Sequence, residues 1–159
     1  MTAHRLATHD DIPPLARLIN AAYTVEAFFI RGARTTEREL RDKLDTPGAA
    51  FLVVDGGTPG TLAGAVYVEL RGDRGYFGLL SVDPARQGEG LGRVLVDAAE
   101  QRCRAAGCAA LDIDVVNLRT ELPAFYEQFG LRPVGTTPFP APEKLTQPVH
   151  LIVMSKPLT

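Results

Sequence analysis

Leu80-Ser81-Val82-Asp83-Pro84-Ala85-Arg86-Gln87-Gly88-Glu89-Gly90-Leu91-Gly92-Arg93 decides how this chain is read. An apolar run ends in the turn Asp83-Pro84, and glycines follow at 88, 90 and 92. Behind them Leu91, Val94, Leu95, Ala98, Ala99 and Cys103 recur at helical spacing, with Gly107 as the stop. Glycines let the backbone take unusual dihedrals and come close to a ligand. A helix start presents unpaired N–H groups and the positive end of the helix dipole. Together they make an anion site suited to a pyrophosphate, with Arg86 and Arg93 as neighbouring charge.

Two familiar phosphate loops fit poorly. A Walker A loop needs G-x-x-x-x-G-K-[ST], and no such run exists. A Rossmann loop needs G-x-G-x-x-G. Gly88 and Gly90 match its start, but Arg93 holds the third position. Asp112 and Asp114 lie about 20 residues downstream, where a ribose-binding acid would stand. What precedes the loop, however, is a meander. Ala50 to Asp55, Thr61 to Leu70 and Tyr76 to Val82 are strand-like, joined by the turns 55–60 and 71–75.

Further upstream, Ile12, Leu15, Ala16, Ile19, Ala22 and Tyr23 predict a helix that begins near Thr8 to Asp11. Pro13 and Pro14 fall in its first turn. Thr36 to Leu44 predicts a second, more charged helix, closed by Pro47-Gly48. Downstream, Leu111 to Val116 reads as a strand and Leu122 to Phe129 as a short helix ended by Gly130. Arg132 to Thr136 and Val149 to Ser155 read as strands. That order predicts an α/β fold, a mixed sheet with helices on both faces.

The third reading of the loop is Gln87-x-x-Gly90-x-Gly92 after Val82-x-Pro84. It resembles the acetyl-CoA pyrophosphate loop of the GNAT superfamily of acyl-CoA-dependent N-acetyltransferases. Arg5-Leu6-Ala7-Thr8 followed by Asp11-Ile12 looks like the family's first strand and helix entry. Phe125-Tyr126-Glu127-Gln128-Phe129-Gly130-Leu131 resembles its F/L-Y-E-x-x-G-F segment, with Leu131 in place of the usual aromatic. The resemblance covers nearly the whole chain and is strongest from Leu79 to Gly135. It implies a GNAT-like, mostly antiparallel central sheet with helices on both faces. It also implies direct transfer of an acetyl group from acetyl-CoA to a primary amine, without a metal. The acceptor is a small-molecule or peptide amine.

Site residues follow from the same resemblance. Leu80, Ser81 and Val82 pair with the pantetheine arm, and the Leu80 N–H faces the thioester oxygen. Gln87 and the amides of Gly88, Glu89, Gly90, Leu91, Gly92 and Arg93 surround the pyrophosphate. Glu89 offers its N–H while its side chain points outward. Tyr126 matches the tyrosine that protonates the departing thiolate; its alternative is packing beside Phe125 and Phe129. Asn117 is matched to a cofactor contact, against a plain strand-end cap. Its interval to Tyr126 is longer than many members have, and Arg119 lies nearer.

The proton acceptor is the open question. A lysine-type amine has a pKa of about 10.4 and attacks only when neutral, so a base or a water path is needed. The strand before the loop starts Tyr76-Phe77-Gly78, with no carboxylate where members that use a glutamate often carry one. Glu69 on the preceding strand is the nearest candidate, against a solvated or salt-bridged role. Tyr76 ordering a water, or no dedicated base, are the other options. An acyl-CoA-binding or sensor module without turnover therefore remains the alternative, and a dinucleotide oxidoreductase a weaker one. The acceptor region should involve Glu26, Phe28, Phe29 and Arg31 between the first two helices, and Pro138-Phe139-Pro140.

Composition bounds the rest. The 159 residues suit a single domain, 1–159, with 45% hydrophobic and 23% charged residues. A net charge of -2 argues against a broad nucleic-acid-binding face. No apolar run approaches the roughly 20 residues of a membrane span. The first eleven residues lack a leader's apolar segment, so the cytoplasm is the default. Cys103 and Cys108 read as small buried thiols, and with His4, His9 and His150 far off in sequence no zinc site is expected. Members of the resembled family often dimerise, but no interface is visible in the sequence.

Overall fold

The strands β1 (Arg5–Leu6), β2 (Ala49–Asp55), β3 (Leu62–Arg71), β4 (Arg74–Val82), β5 (Ala110–Val116), β6 (Arg132–Pro138) and β7 (His150–Pro157) form one seven-stranded sheet. Its order is β1-β2-β3-β4-β5-β7-β6. The computed structural model describes residues 3–159; Met1 and Thr2, the start of the stretch read for a leader, lie outside them. Neighbours pair antiparallel except β4 and β5, which run parallel. A parallel pair needs a long crossover, supplied by α3 (Leu91–Ala105).

Helices cover both faces. Leu91, Leu95, Val96, Ala99 and Cys103 of α3 pack on Phe77, Leu111, Ile113 and Met154, with Tyr126 of α4 (Leu122–Glu127) in the same core. On the other face Leu15 and Ile19 of α1 (Ile12–Ala22) and Leu40 of α2 (Glu37–Leu44) meet Phe51, Val53, Tyr67 and Leu79. The Thr36 hydroxyl caps α2 by accepting from the Glu39 N–H at 3.2 Å. The expected fold class holds, and the sequence-derived limits agree with these elements to within a few residues.

Two features shape the middle of the sheet. The first is a bulge in β4. Tyr67 pairs with Gly78, but Ala65 pairs with Ser81, so β4 carries one residue more than β3. Leu79 absorbs it at φ +51°, the only non-glycine with positive φ among the described residues. The extra residue reverses the alternation. Phe77 faces α3, Leu79 faces α1 and α2, and Leu80 and Val82 face α3 again. The Ser81 hydroxyl donates to the Leu79 carbonyl at 2.9 Å and braces the bulge.

The second feature is a split. β4 pairs with β5 only over Arg74–Tyr76 against Ala110–Asp112, after which the two strands part. Above the split, the α1–α2 connection is clasped to the β6–β7 connection. The Arg31 N–H donates to the Lys144 carbonyl at 2.8 Å and the Thr146 N–H to the Phe29 carbonyl at 2.9 Å. Phe29 is buried there with Ile30 and Val116, whereas Phe28 is exposed. Below it, α3 lies so close to β4 that a Cβ on Gly75 would sit 2.3 Å from Cys103 Sγ. Both cysteines are buried and unpaired, as expected. Burial pushes the Cys103 thiol up to about 11.

Candidate active site

The parting of β4 and β5 opens a cleft of about 850 Å³. It reaches from the start of α3 to the inner side of the α1–α2 connection. At the α3 end, Gly88 and Gly90 take φ +87° and +80°, and Gly90 is the helix N-cap with no side-chain cap above it. No atom lies within 4 Å of where a Cβ would stand on either glycine. Left-handed glycines at an uncovered helix start leave backbone N–H groups free for an anion. The preceding turn is fixed by the Asp83 carboxylate, which accepts from the Ala85 N–H at 2.9 Å. Glu89 is held at the surface by Arg86 at 2.8 Å. The Arg93 guanidinium lies over the Phe129 ring at 5.0 Å.

Of the residues matched to cofactor contacts, Leu80, Val82, Gln87, Gly88, Gly90, Leu91, Gly92 and Arg93 line this cleft. Ser81 and Glu89 do not; their side chains serve the bulge and Arg86. Asn117 is also outside the lining. Its Oδ1 accepts from the His150 N–H at 2.9 Å, and its own N–H donates to the His150 carbonyl at 3.0 Å. Its side chain thus joins the end of β5 to β7, the strand-end role.

Tyr126 stands in the middle of the cleft wall. Its ring packs edge-on against Phe125 at 5.0 Å and Phe77 at 5.8 Å. Packing and cleft exposure therefore coexist at this residue. Among the described residues its hydroxyl has no hydrogen-bond partner, and burial raises its pKa well above the usual phenol value. Tyr23 and Tyr76 line the cleft nearby. Burial pushes Tyr23 up to about 12 and raises Tyr76 as well. A Cβ on Gly78 would stand 2.7 Å from the Tyr76 hydroxyl, so glycine at 78 is what lets this ring lie along the strand.

Glu69 takes the salt-bridged place that the sequence left as its alternative. The Tyr67 hydroxyl donates to its Oε2 at 2.5 Å and Arg71 Nε to its Oε1 at 2.7 Å. Those bonds, Tyr67 first, hold its carboxyl below the usual range. Glu69 is also absent from the cleft lining. A carboxylate so held is a poor proton acceptor. Asp114 on β5 has the opposite character. It lines the cleft and makes no ion pair or hydrogen bond with any described residue's side chain. Although the residue is exposed, partial desolvation against the cleft wall, opposed by Arg71 and aided by Asp112, raises its carboxyl. In the sequence Asp114 drew notice only as a would-be ribose-binding acid of a dinucleotide loop, not as a base.

The acceptor side of the cleft takes shape only in three dimensions. Glu26 is 4% exposed and lies 3.4 Å from Arg119, which also binds Glu121 at 3.0 Å. Burial raises the Glu26 carboxyl despite the Arg34 and Arg119 charges. Arg34, Lys43 and Arg71 also face the cleft, as do Phe139 and Pro140 of the segment expected near the acceptor. Among the described residues no group of three or more His, Cys, Asp or Glu is placed to hold a metal ion. No described helix is long and apolar enough to cross a membrane.

Comparison with known proteins bears on this arrangement. The model of the Acetyltransferase (GNAT) family matches residues 14–131. A mycothiol acetyltransferase of Propionibacterium freudenreichii is 32% identical over 143 residues, covering 85% of this chain and 44% of that protein. One from Beutenbergia cavernae is 35% identical over 109 residues, covering 66% of this chain and 36% of that protein. The chain spans less than half the length of these curated relatives. The ribosomal-protein-S18-alanine N-acetyltransferase of Escherichia coli superposes with a TM-score of 0.79 at 18% identity, covering 100% of this chain and 95% of that one. A phosphinothricin acetyltransferase of Sinorhizobium meliloti, solved in complex with AcCoA, gives 0.78 at 16% identity, with 99% and 88% covered. These two likenesses establish the fold.

Proposed function

Because the chain belongs to the acetyltransferase (GNAT) family, we propose that it transfers an acetyl group from acetyl-CoA directly to an amine. The observation that supports this most is continuity. One cleft joins the uncovered glycines at the start of α3 to Asp114 and Tyr126 beside the β4–β5 split. The acceptor is read as the amine of a small molecule or peptide. The relatives' mycothiol is not carried over to a chain that spans less than half of them.

When bound, acetyl-CoA supplies an activated carbonyl and a thiolate leaving group. The chain's own residues then have distinct tasks. The amides from Gly88 to Arg93 hold the pyrophosphate at the helix start. The Leu80 N–H, on the bulged part of β4, donates to the acyl oxygen where negative charge develops. Asp114 accepts the proton that the amine must lose, directly or through a water. Its raised carboxyl suits that task better than the clamped Glu69. Tyr126 keeps its proton at neutral pH and donates it toward the departing sulfur. Glu69 stays outside the reaction and fixes Tyr67 and Arg71 on the cleft wall.

The test is a calorimetric titration with acetyl-CoA, with NADH as control and a Gly92→Trp variant alongside. Gly92 lines the cleft, and a large ring there covers the helix start. Acetyl-CoA should bind to wild type and not to a folded Gly92→Trp protein, and thioester should be consumed when amines are supplied. Absence of acetyl-CoA binding by folded wild type overturns the reading. Binding without turnover across an amine screen would make the chain an acyl-CoA-binding module instead.

A further inference from the structure

At the end of the cleft away from the glycine loop, three cations lie over three tyrosines. Arg34 stands 5.1 Å from the Tyr23 ring centre, Lys43 4.7 Å from Tyr67 and Arg71 4.0 Å from Tyr76. Arg71 is neutralised by Glu69 at 2.7 Å. The other two differ: neither the Arg34 nor the Lys43 side chain makes a direct ion pair or hydrogen bond with any described residue. Arg34 Nε is buried and has no acceptor among the described residues.

Neighbouring carboxylates act on these cations only through space, Glu26 on Arg34 and Glu69 and Glu39 on Lys43, without a direct contact. Glu26 is engaged by Arg119 at 3.4 Å, Glu69 by Tyr67 and Arg71, and Glu39 accepts from the Thr35 hydroxyl at 3.1 Å. Burial, then the Arg34 charge, lowers the Lys43 pKa, as expected for two cations sharing a partly buried wall. A buried N–H donor without a partner and two cations with no directly bound carboxylate are unfavourable for the protein alone. They are what an oxyanion site requires. A guanidinium lying over an aromatic ring keeps its N–H edge free for a planar oxyanion.

We propose that Arg34 and Lys43 form an anion subsite that holds a carboxylate or phosphate borne by the acceptor amine. This inference rests on the acetyl-transfer reading of the cleft and narrows its acceptor class. The substrate is an amino acid, a peptide with a free carboxylate near its amine, or a phosphorylated amine. An uncharged amine or a polyamine does not fit. Arg34 belongs to the α1–α2 connection and Lys43 to α2, so the anion is bound on that side while the amine points toward Asp114.

The test uses product-like probes, so it does not depend on knowing the substrate. CoA-saturated protein is titrated by calorimetry with N-acetyl-L-alanine and N-acetyl-L-alaninamide. It is also titrated with N-acetyl-O-phosphoethanolamine and N-acetylethanolamine. Wild type, Arg34→Gln and Lys43→Gln are compared, with thermal melts to verify folding. The anionic member of at least one pair should bind about tenfold more tightly than its neutral partner, the scale of one charge-assisted hydrogen bond. That preference should fall by about as much in each variant, while CoA affinity stays at the wild-type value. The pair that shows the preference identifies carboxylate or phosphate. Neutral probes binding as well as anions, no binding by any probe, or a preference that survives in both variants overturns the subsite. Failure of wild type to bind CoA overturns the acetyl-transfer reading instead. The anion preference is then decided on the protein without CoA.

Discussion

Glu26 and Arg119, 93 residues apart in sequence, meet at 3.4 Å on the wall of the cleft. The pair ties the α1–α2 connection to the segment that follows β5, and so joins the two halves of the acceptor wall. Its carboxylate is almost wholly removed from water and its guanidinium is 21% exposed. The contact is thus closer to a buried ion pair than to a surface one.

Removing one partner should expose that asymmetry. Arg119→Met leaves a buried carboxylate unpaired and should destabilise the fold by about 3 kcal/mol at pH 7. Glu26→Gln should behave differently. The Glu26 carboxyl is raised by burial, so its ionisation opposes folding. That cost is absent below the ordinary glutamate range and complete above the raised folded-state value. The stability of Glu26→Gln relative to wild type should therefore rise as pH rises through that window. Urea denaturation of all three proteins at several pH values measures both effects.

Asp114 and Glu69 should separate cleanly by mutation. Asp114→Asn should lower kcat about a hundredfold. It should also remove the limb of the pH–rate profile that rises as a raised carboxyl ionises. Glu69→Gln should retain that limb and a kcat of wild-type order. Its loss should appear in stability instead, about 1 kcal/mol at neutral pH. Glu69 has a depressed carboxyl, so the stabilisation is present above the ordinary glutamate value and fades as pH falls through the folded-state value. Steady-state rates and denaturation curves over pH distinguish the two carboxylates.

Tyr126→Phe keeps the ring that packs on Phe77 and Phe125 and removes only the hydroxyl. Stability should change by less than about 1 kcal/mol, because that hydroxyl has no protein partner to lose. Acetyl-CoA affinity should hold, while kcat falls roughly tenfold to a hundredfold as the thiolate loses its proton donor. A purely structural tyrosine would leave kcat unchanged.

The contact between β4 and α3 predicts a partial rescue. Gly75→Ala places a Cβ 2.3 Å from Cys103 Sγ and 2.8 Å from Cys103 Cβ. Overpacking of this kind costs about 1–3 kcal/mol. Cys103→Ala in the Gly75→Ala background should recover part of the loss, because the sulfur is removed while the Cβ contact remains. Thermal melts of the two single variants and the double variant test the coupling.

What could be read from the sequence was what is decided locally. The helical spacing from Leu91 to Cys103 and the glycines before it depend on near neighbours, and both reappear in the fold. Leu79 is the counter-example. Nothing in Gly78-Leu79-Leu80 marks a left-handed leucine, because the bulge is imposed by pairing with Ala65 and Tyr67 on β3. The role proposed for Asp114 was hidden for a related reason. Alternation turns it away from Ile113, but only the divergence of β4 and β5 opens a cleft beside it. Glu69 was singled out by its closeness in sequence to the glycine loop. Yet Tyr67-x-Glu69-x-Arg71 is a run of alternate residues on one face of a strand, and that spacing already implies a clamped carboxylate. The pairing of Glu26 with Arg119 has no local signature, since their meeting depends on the packing of distant segments.

The two cysteines acquire a meaning from where they are not. A protein that handles thioesters is at risk of thiol–thioester exchange, in which its own thiolate captures the acyl group. Exchange needs an accessible thiolate. Here both thiols are buried, no cysteine is among the cleft-lining residues, and burial keeps Cys103 protonated up to about pH 11. In the proposed reaction, the packing that seats α3 on β4 would also guard the chain against self-acylation and leave no thiol way-station between donor and acceptor.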